Sequence, residues 1–283
     1  MIDVQADYMI HRCKIPGGDR VRWVAVILTL VAAVVLPYVM VSVKPLQLIV
    51  KEIYPGDVEI LIDPDVNPHM FQLKPSDMGK VEKSEMLLVF GGGFEGWVKK
   101  LEGRVKICEL SSVVGRASDE NPHVWLDPVL TAVMAVKAEA CLEGIHPELS
   151  VEMRKRLASF LQKLVDLSER IGEEFSRLDG MLLELRPALY HFLKRFFGGD
   201  YVTLVSQSQP SLSPRRLKEV LKLCKKEGLR YILIERNSSE KIAQPVVKGC
   251  GLKILKVDVL GSDAESYIEM IESVADVVKE ALR

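Results

Sequence analysis

Two of the five histidines of this 283-residue chain stand in the same tripeptide, Asn-Pro-His. One lies in "DVNPHMFQLKPSD" (65–77) and the other in "DENPHVWLDP" (119–128). Imidazole is the commonest metal ligand, and a metal site needs its ligands held in advance. In each tripeptide proline fixes its own backbone and restricts the asparagine before it. Each histidine is therefore presented from a stiff loop. The repeated context points to one shared site built by His69 and His123, rather than to two unrelated loop histidines capping helices. A zinc ion takes about four ligands, so other side chains must contribute. Asp258, at the end of "KILKVDVL", is the candidate, with capping of the loop Gly261–Ser262 as its alternative role. Glu235, at the end of "YILIER", is a weaker one, better suited to bonding the adjacent loop.

A second motif competes. "GGGFEG" (91–96) matches G-x-G-x-x-G after a strand, with Glu109 ending the next strand where a ribose contact would fall. Against a dinucleotide site, Glu95 would set a carboxylate beside the pyrophosphate, and the helix expected over "EGWVKKL" is very short.

The elements that must position these residues alternate. Strands are expected at 38–43, 57–62, 85–90 and 104–110, with helices between them, a rhythm of parallel sheets. From Pro128 to Leu178 the alternation stops and two amphipathic helices follow. The second, Ser150 to Leu178, carries Met153, Leu157, Phe160, Leu161, Leu164 and Leu167 at helical spacing. Strands resume at 181–185, 201–207, 231–236 and 252–260. The fold class is α/β: two lobes with parallel sheets flanked by helices, joined by a single long α-helix. The boundaries are 1–37 for an N-terminal extension, 38–148 for the first lobe, 149–179 for the linking helix and 180–283 for the second lobe.

The apolar run Val21 to Met40, with Arg20 and Arg22 at its start, is read as a signal peptide or a single membrane anchor. A net charge of -1 gives no basic face, so nucleic acid is not an expected partner. The five cysteines show no C-x-x-C spacing, so most are read as small buried hydrophobes; a Cys224–Cys250 disulfide is possible, though nothing favours it.

"VSVKPLQLIV", "NPHMFQLKPSD", "GGGFEGWVKKL", "NPHVWLDP" and "SQPSLSPRRLKEV" resemble, in order from about Val39 onward, the zinc/manganese substrate-binding proteins of ABC importers. The resemblance implies two lobes bridged by a long helix, with a metal ion held in the cleft. It implies an exported, extracytoplasmic or periplasmic receptor, monomeric and without catalysis, that hands zinc, or alternatively manganese, to a membrane permease. Residues 21–40 would serve as its membrane attachment if not removed. His69 and His123 match the family's first-lobe histidines and Asp258 its second-lobe aspartate. The remaining ligand departs from the pattern. Where the family has a histidine or glutamate in H-x-A-F-x-Y-F, this chain has "RPALYHF", with Arg186 at the ligand position. Arginine cannot lose its proton and cannot ligate a metal. Several arrangements stay open: three protein ligands plus water, substitution by Glu184 or His191, an Arg186–Asp258 pair closing an empty cleft, or a degenerate member that binds metal weakly or not at all.

Overall fold

The computed structural model describes residues 38–206 and 211–283. The apolar run read as a signal or anchor lies outside the described residues up to position 37. Its last two residues, Val39 and Met40, are fully buried in the first strand, so the run ends inside the folded core. Among the described residues no helix is long and apolar enough to cross a membrane.

The first part of the chain runs β1 (Val39–Val41), α1 (Lys44–Ile53), β2 (Val58–Ile60), α2 (Pro75–Val81), β3 (Met86–Val89), β4 (Ile107–Glu109), α3 (Arg116–Glu120) and α4 (Pro128–Glu143). Then come α5 (Ser150–Phe175), β5 (Met181–Glu184), α6 (Tyr190–Phe196), β6 (Asp200–Thr203), α7 (Pro214–Glu227), β7 (Tyr231–Glu235), α8 (Gln244–Cys250), β8 (Lys253–Val257) and α9 (Tyr267–Ala281). Two four-stranded sheets result, ordered β2-β1-β3-β4 and β6-β5-β7-β8, with every pairing parallel. The central strands β1 and β3 are buried on both faces and read as unbroken apolar runs, as strands covered by helices must. The edge strand β2 instead alternates, with Val58 buried and Glu59 exposed. Both sheets reverse strand order beside their first strand, and ligands bind at the carboxyl ends next to such a reversal.

Helix α5 buries Met153, Leu157, Phe160, Leu164, Leu167, Ile171 and Phe175 at steps of three and four residues. That stripe meets α1, α4 and α9, so one continuous core runs from the first sheet through α5 to one face of the second. A smaller core under α7 and α8 covers the other face. Helix α7 begins where Ser213 Oγ accepts from the Arg216 N–H at 3.2 Å and stops at Gly228, whose φ of 63° supplies a left-handed cap.

Two expectations are corrected. The stretch "EGWVKKL" forms a 3₁₀ helix, Gly96–Leu101, because three glycines with positive φ (Gly91, Gly92, Gly93) and the buried Glu95 carboxylate shape its approach. The disulfide joins Cys108 of β4 to Cys141 of α4, while Cys224 and Cys250 are free. Its partners are 33 residues apart and meet only because α4 packs back over the first sheet. Sequence alone carries no signal for that pairing.

Candidate metal centre

The two Asn-Pro-His tripeptides fold alike. Asn67 Oδ1 accepts from the His69 N–H at 3.0 Å, and Asn121 Oδ1 accepts from the His123 N–H at 2.9 Å. Each is an Asx turn, in which the side chain closes a ring with the backbone two residues on. Proline in the middle has no N–H to compete for that oxygen. A single 3₁₀ turn follows each tripeptide start, Pro68–Met70 and Val124–Leu126. The imidazoles end with ring centroids 5.5 Å apart. Two rings bound through nitrogen to one tetrahedral zinc would stand about 5 Å apart.

Their surroundings differ. His123 is 3% exposed, packed beside Trp125. Its Nδ1 lies 2.8 Å from Asn121 Oδ1. The Asn121 amide orientation is decided by its other partner, since Nδ2 donates to Pro187 O at 2.6 Å. Oδ1 can then only accept, so the His123 proton sits on Nδ1 and the Nε2 lone pair is left for a ligand. Burial, reinforced by His69 and then His191, pushes the His123 pKa down to about 3. His69 sits at the exposed rim, edge-on to Phe94. Its pKa is lowered by burial of the ring and then by the Arg186 charge. Both imidazoles are neutral at pH 7, the state a metal needs.

Across the cleft, Glu235, Arg236, Asn237, Asp258, Val259 and Leu260 face the histidines around a space of about 330 Å³ including its open mouth. Asp258 is already engaged. Its Oδ1 accepts from Leu260 N–H at 3.1 Å, its Oδ2 from Ser262 N–H at 2.7 Å, and Arg236 approaches at 3.4 Å while also pairing with Asp263. The arginine beside Asp258 is therefore Arg236, not Arg186. Asp258 does cap the loop, yet it also lines the cleft. Glu184 is 2% exposed, behind the wall; burial holds its carboxyl well above the usual range, and its Oε1 has no partner. His191 is buried too and donates Nε2–H to Asn121 O at 2.9 Å. Neither lines the cleft. His191 instead clamps the backbone of the His123 turn, a role its position on α6 did not announce. Asn67, Asn121, Phe94 and Trp125 were likewise not singled out, although the asparagine repeat was the available signal. Among the described residues no three His, Cys, Asp or Glu side chains gather closely enough to hold a metal ion. Asp258 must come nearer to the histidines to share one.

The glycine-rich loop is not a phosphate cradle. Glu95 accepts from Phe90 N–H at 3.0 Å, Gly91 N–H at 2.8 Å and Ser42 Oγ at 2.7 Å, and Glu109 accepts from Gly92 N–H at 3.0 Å. The amides that would bind pyrophosphate are taken by the chain's own carboxylates, so the dinucleotide reading fails. Burial raises the Glu95 pKa to about 7.

Comparison with known proteins bears on the family and the fold. The family described as zinc-uptake complex component A, periplasmic, matches residues 39–281. A Thermotoga maritima protein named for metal binding is 28% identical over 257 residues, 87% of this chain and 92% of the relative. The zinc-binding lipoprotein AdcA of Streptococcus pneumoniae is 23% identical over 253 residues, 81% of this chain and 50% of the relative, so the chain spans about half of AdcA's length. A crystal structure of ZnuA superposes with a TM-score of 0.78 at 20% identity, covering 87% of this chain and 99% of the other, a likeness of fold. Two lobes around a cleft, twin histidine turns and a match over nearly the whole described chain lead to one conclusion: the chain belongs to the periplasmic zinc-uptake component A family, the metal substrate-binding proteins of ABC importers.

Proposed function

We infer that the chain captures one zinc ion between its lobes and delivers it to the permease of an ABC importer. The observation that carries this reading is the pair of neutral imidazoles 5.5 Å apart, one of them pinned through Nδ1 so that Nε2 is open. His69 and His123 are the ligands from the first lobe, and Asp258 supplies an oxygen from the second when the cleft closes. Two nitrogen donors favour zinc over manganese, which prefers oxygen. The relatives named for zinc and metal binding support the same cargo. The role is carriage, with no substrate transformed.

The test is a zinc titration of the chelator-stripped full chain beside His69→Ala and His123→Ala. One site per chain, lost in either variant, is expected. A folded chain that takes up no zinc would overturn the reading. Manganese in competition should fail to displace zinc at comparable concentration.

A further inference from the structure

The loop that carries His69 is tied down from two sides. After β2 the chain turns at 63–66, where the Val66 N–H donates to Asp63 O and the Asp65 N–H to Asp63 Oδ1, both at 2.9 Å. It then enters the Asx turn at Asn67. The far end of the loop packs on its own lobe: Pro68 is buried, and Phe71 stands edge-on to Trp97 with ring centroids 5.5 Å apart. The near end is held differently. Among the described residues no hydrogen bond joins positions 63–71 to the rest of the first lobe. Two come instead from the second lobe. Asn237, just past β7, donates from Nδ2 to Pro64 O at 2.9 Å, and Ser262, in the loop after β8, donates from Oγ to the same oxygen at 3.2 Å. A carbonyl oxygen has two lone pairs, so both donors fit at once.

Both donors belong to the cleft. Asn237 lines it. Ser262 is bound to Asp258: its N–H donates to Asp258 Oδ2 at 2.7 Å, and its Oγ stands 3.4 Å from Asp258 Oδ1. The hydroxyl has one proton, so Pro64 O and Asp258 Oδ1 compete for it. One side chain thus connects the aspartate of the second lobe to the loop of a histidine on the first. Parting that loop from the second lobe must break both bonds on Pro64 O.

We propose that Asn237 and Ser262 are positioning residues for His69, clasping its loop to the second lobe through Pro64 O and so setting how fast zinc leaves the cleft. The proposal rests on the zinc-receptor reading above and adds to it the control of release. Zinc drawn to Asp258 Oδ1 occupies the rival acceptor, the Ser262 proton goes to Pro64 O, and the clasp tightens on its cargo. Affinity differences among variants of one site fall mostly on dissociation, and here the clasp gives the reason.

The experiment uses the full chain and its Asn237→Ala, Ser262→Ala, doubly substituted and Ser262→Thr variants. Zinc release into excess chelator is followed by stopped flow, and amide exchange over residues 63–71 is followed in the zinc-free chain. The double variant is expected to release zinc at least about tenfold faster, the scale of a lost outer partner, with association changed far less. Its loop amides should also exchange faster. Ser262→Thr keeps the hydroxyl and should release zinc as the unaltered chain does. A merely structural role would lower the melting temperature and leave the release rate where it was. Unchanged release in the double variant overturns the proposal while the receptor reading stands. Faster release with unchanged exchange over 63–71 overturns it too, because the effect would not pass through the loop. So does a Ser262→Thr chain as fast as Ser262→Ala. A folded unaltered chain that binds no zinc removes the receptor reading itself, and the proposal with it.

Discussion

The two walls of the cleft are built on sheets of the same strand order, yet they prepare for a metal differently. On the first, each imidazole is set by an Asx turn, and the buried one is pinned at Nδ1 by an amide that itself reaches across to Pro187. On the second, the facing carboxylate is spent on its own loop, and a second carboxylate, Glu184, is sealed behind the strand. On the proposed zinc-receptor reading, the first wall is preorganised for a cation and the second is not. Affinity should therefore be concentrated on the first wall, and substitutions can break or sharpen that contrast.

The largest effect is expected from His123→Ala. It removes the proposed ligand whose proton, ring plane and burial are all fixed in advance. Its loss of zinc affinity should exceed the roughly 10–100-fold typical of an outer partner. Asn121→Ala should fall within that range of roughly 10–100-fold, because the ligand remains but its ring loses its only anchor at Nδ1. Asn67→Ala should cost less, since Asn67 holds the backbone of its turn and no ring nitrogen. Equal losses in the two asparagine variants, measured by competition titration, would show that the turn rather than the ring bond matters.

Asp258→Asn probes the opposite wall. The amide cannot accept from both the Leu260 and Ser262 N–H groups through two oxygens, so about 1–3 kcal/mol of stability should be lost in a denaturant melt. Zinc affinity should fall only roughly tenfold, less than for either change at His123 or Asn121. A loss as large as that of His123→Ala would place the second wall on a par with the first and remove the contrast.

Much of this was legible in the residues. Strand positions followed from apolar runs, and α5 from the spacing of Met153, Leu157 and Phe160, because a period imposed by burial is written locally. The paired Asn-Pro-His loops were visible because stiffness and metal chemistry coincide in three residues. Contacts made by tertiary packing were not visible. Nothing local says that Cys108 meets Cys141, that Arg236 rather than Arg186 reaches Asp258, or that His191 serves the backbone of Asn121. The glycine motif misled for a related reason. Its amides are satisfied by Glu95 and Glu109, and only the fold brings those carboxylates onto them.

The smallest expected effect is that of pH, and it separates a buried, pinned imidazole from an ordinary one. A solvated histidine of pKa 6.5 would lose about 30-fold in metal affinity at pH 5 through proton competition, and two of them about 1000-fold. With His123 pushed down to about 3 by burial, its ring is still neutral at pH 5. His69 is lowered in the same direction by burial and by Arg186. Zinc affinity should therefore weaken by far less than that 1000-fold between pH 7 and pH 5, with the steep loss displaced to more acid solution. The fold carries the linked signature. Between pH 6.5 and about 3 the unfolded chain binds a proton at His123 that the folded chain does not, so this residue's contribution to stability declines as pH falls through that window. Glu95 acts oppositely: held near 7, it is protonated in the folded chain and ionised in the unfolded one down to 4.5, so acidification from pH 7 to 4.5 favours the fold at that residue. Replacing His123 by Gln should remove the acid-side decline while leaving the Glu95 contribution in place. Melting curves of the two proteins from pH 7 to pH 3.5 should thus run parallel above 6.5 and converge or cross below it. Curves parallel throughout would mean that His123 titrates alike in the folded and unfolded chain, and the preorganisation of the first wall would have to be sought in its backbone turns alone.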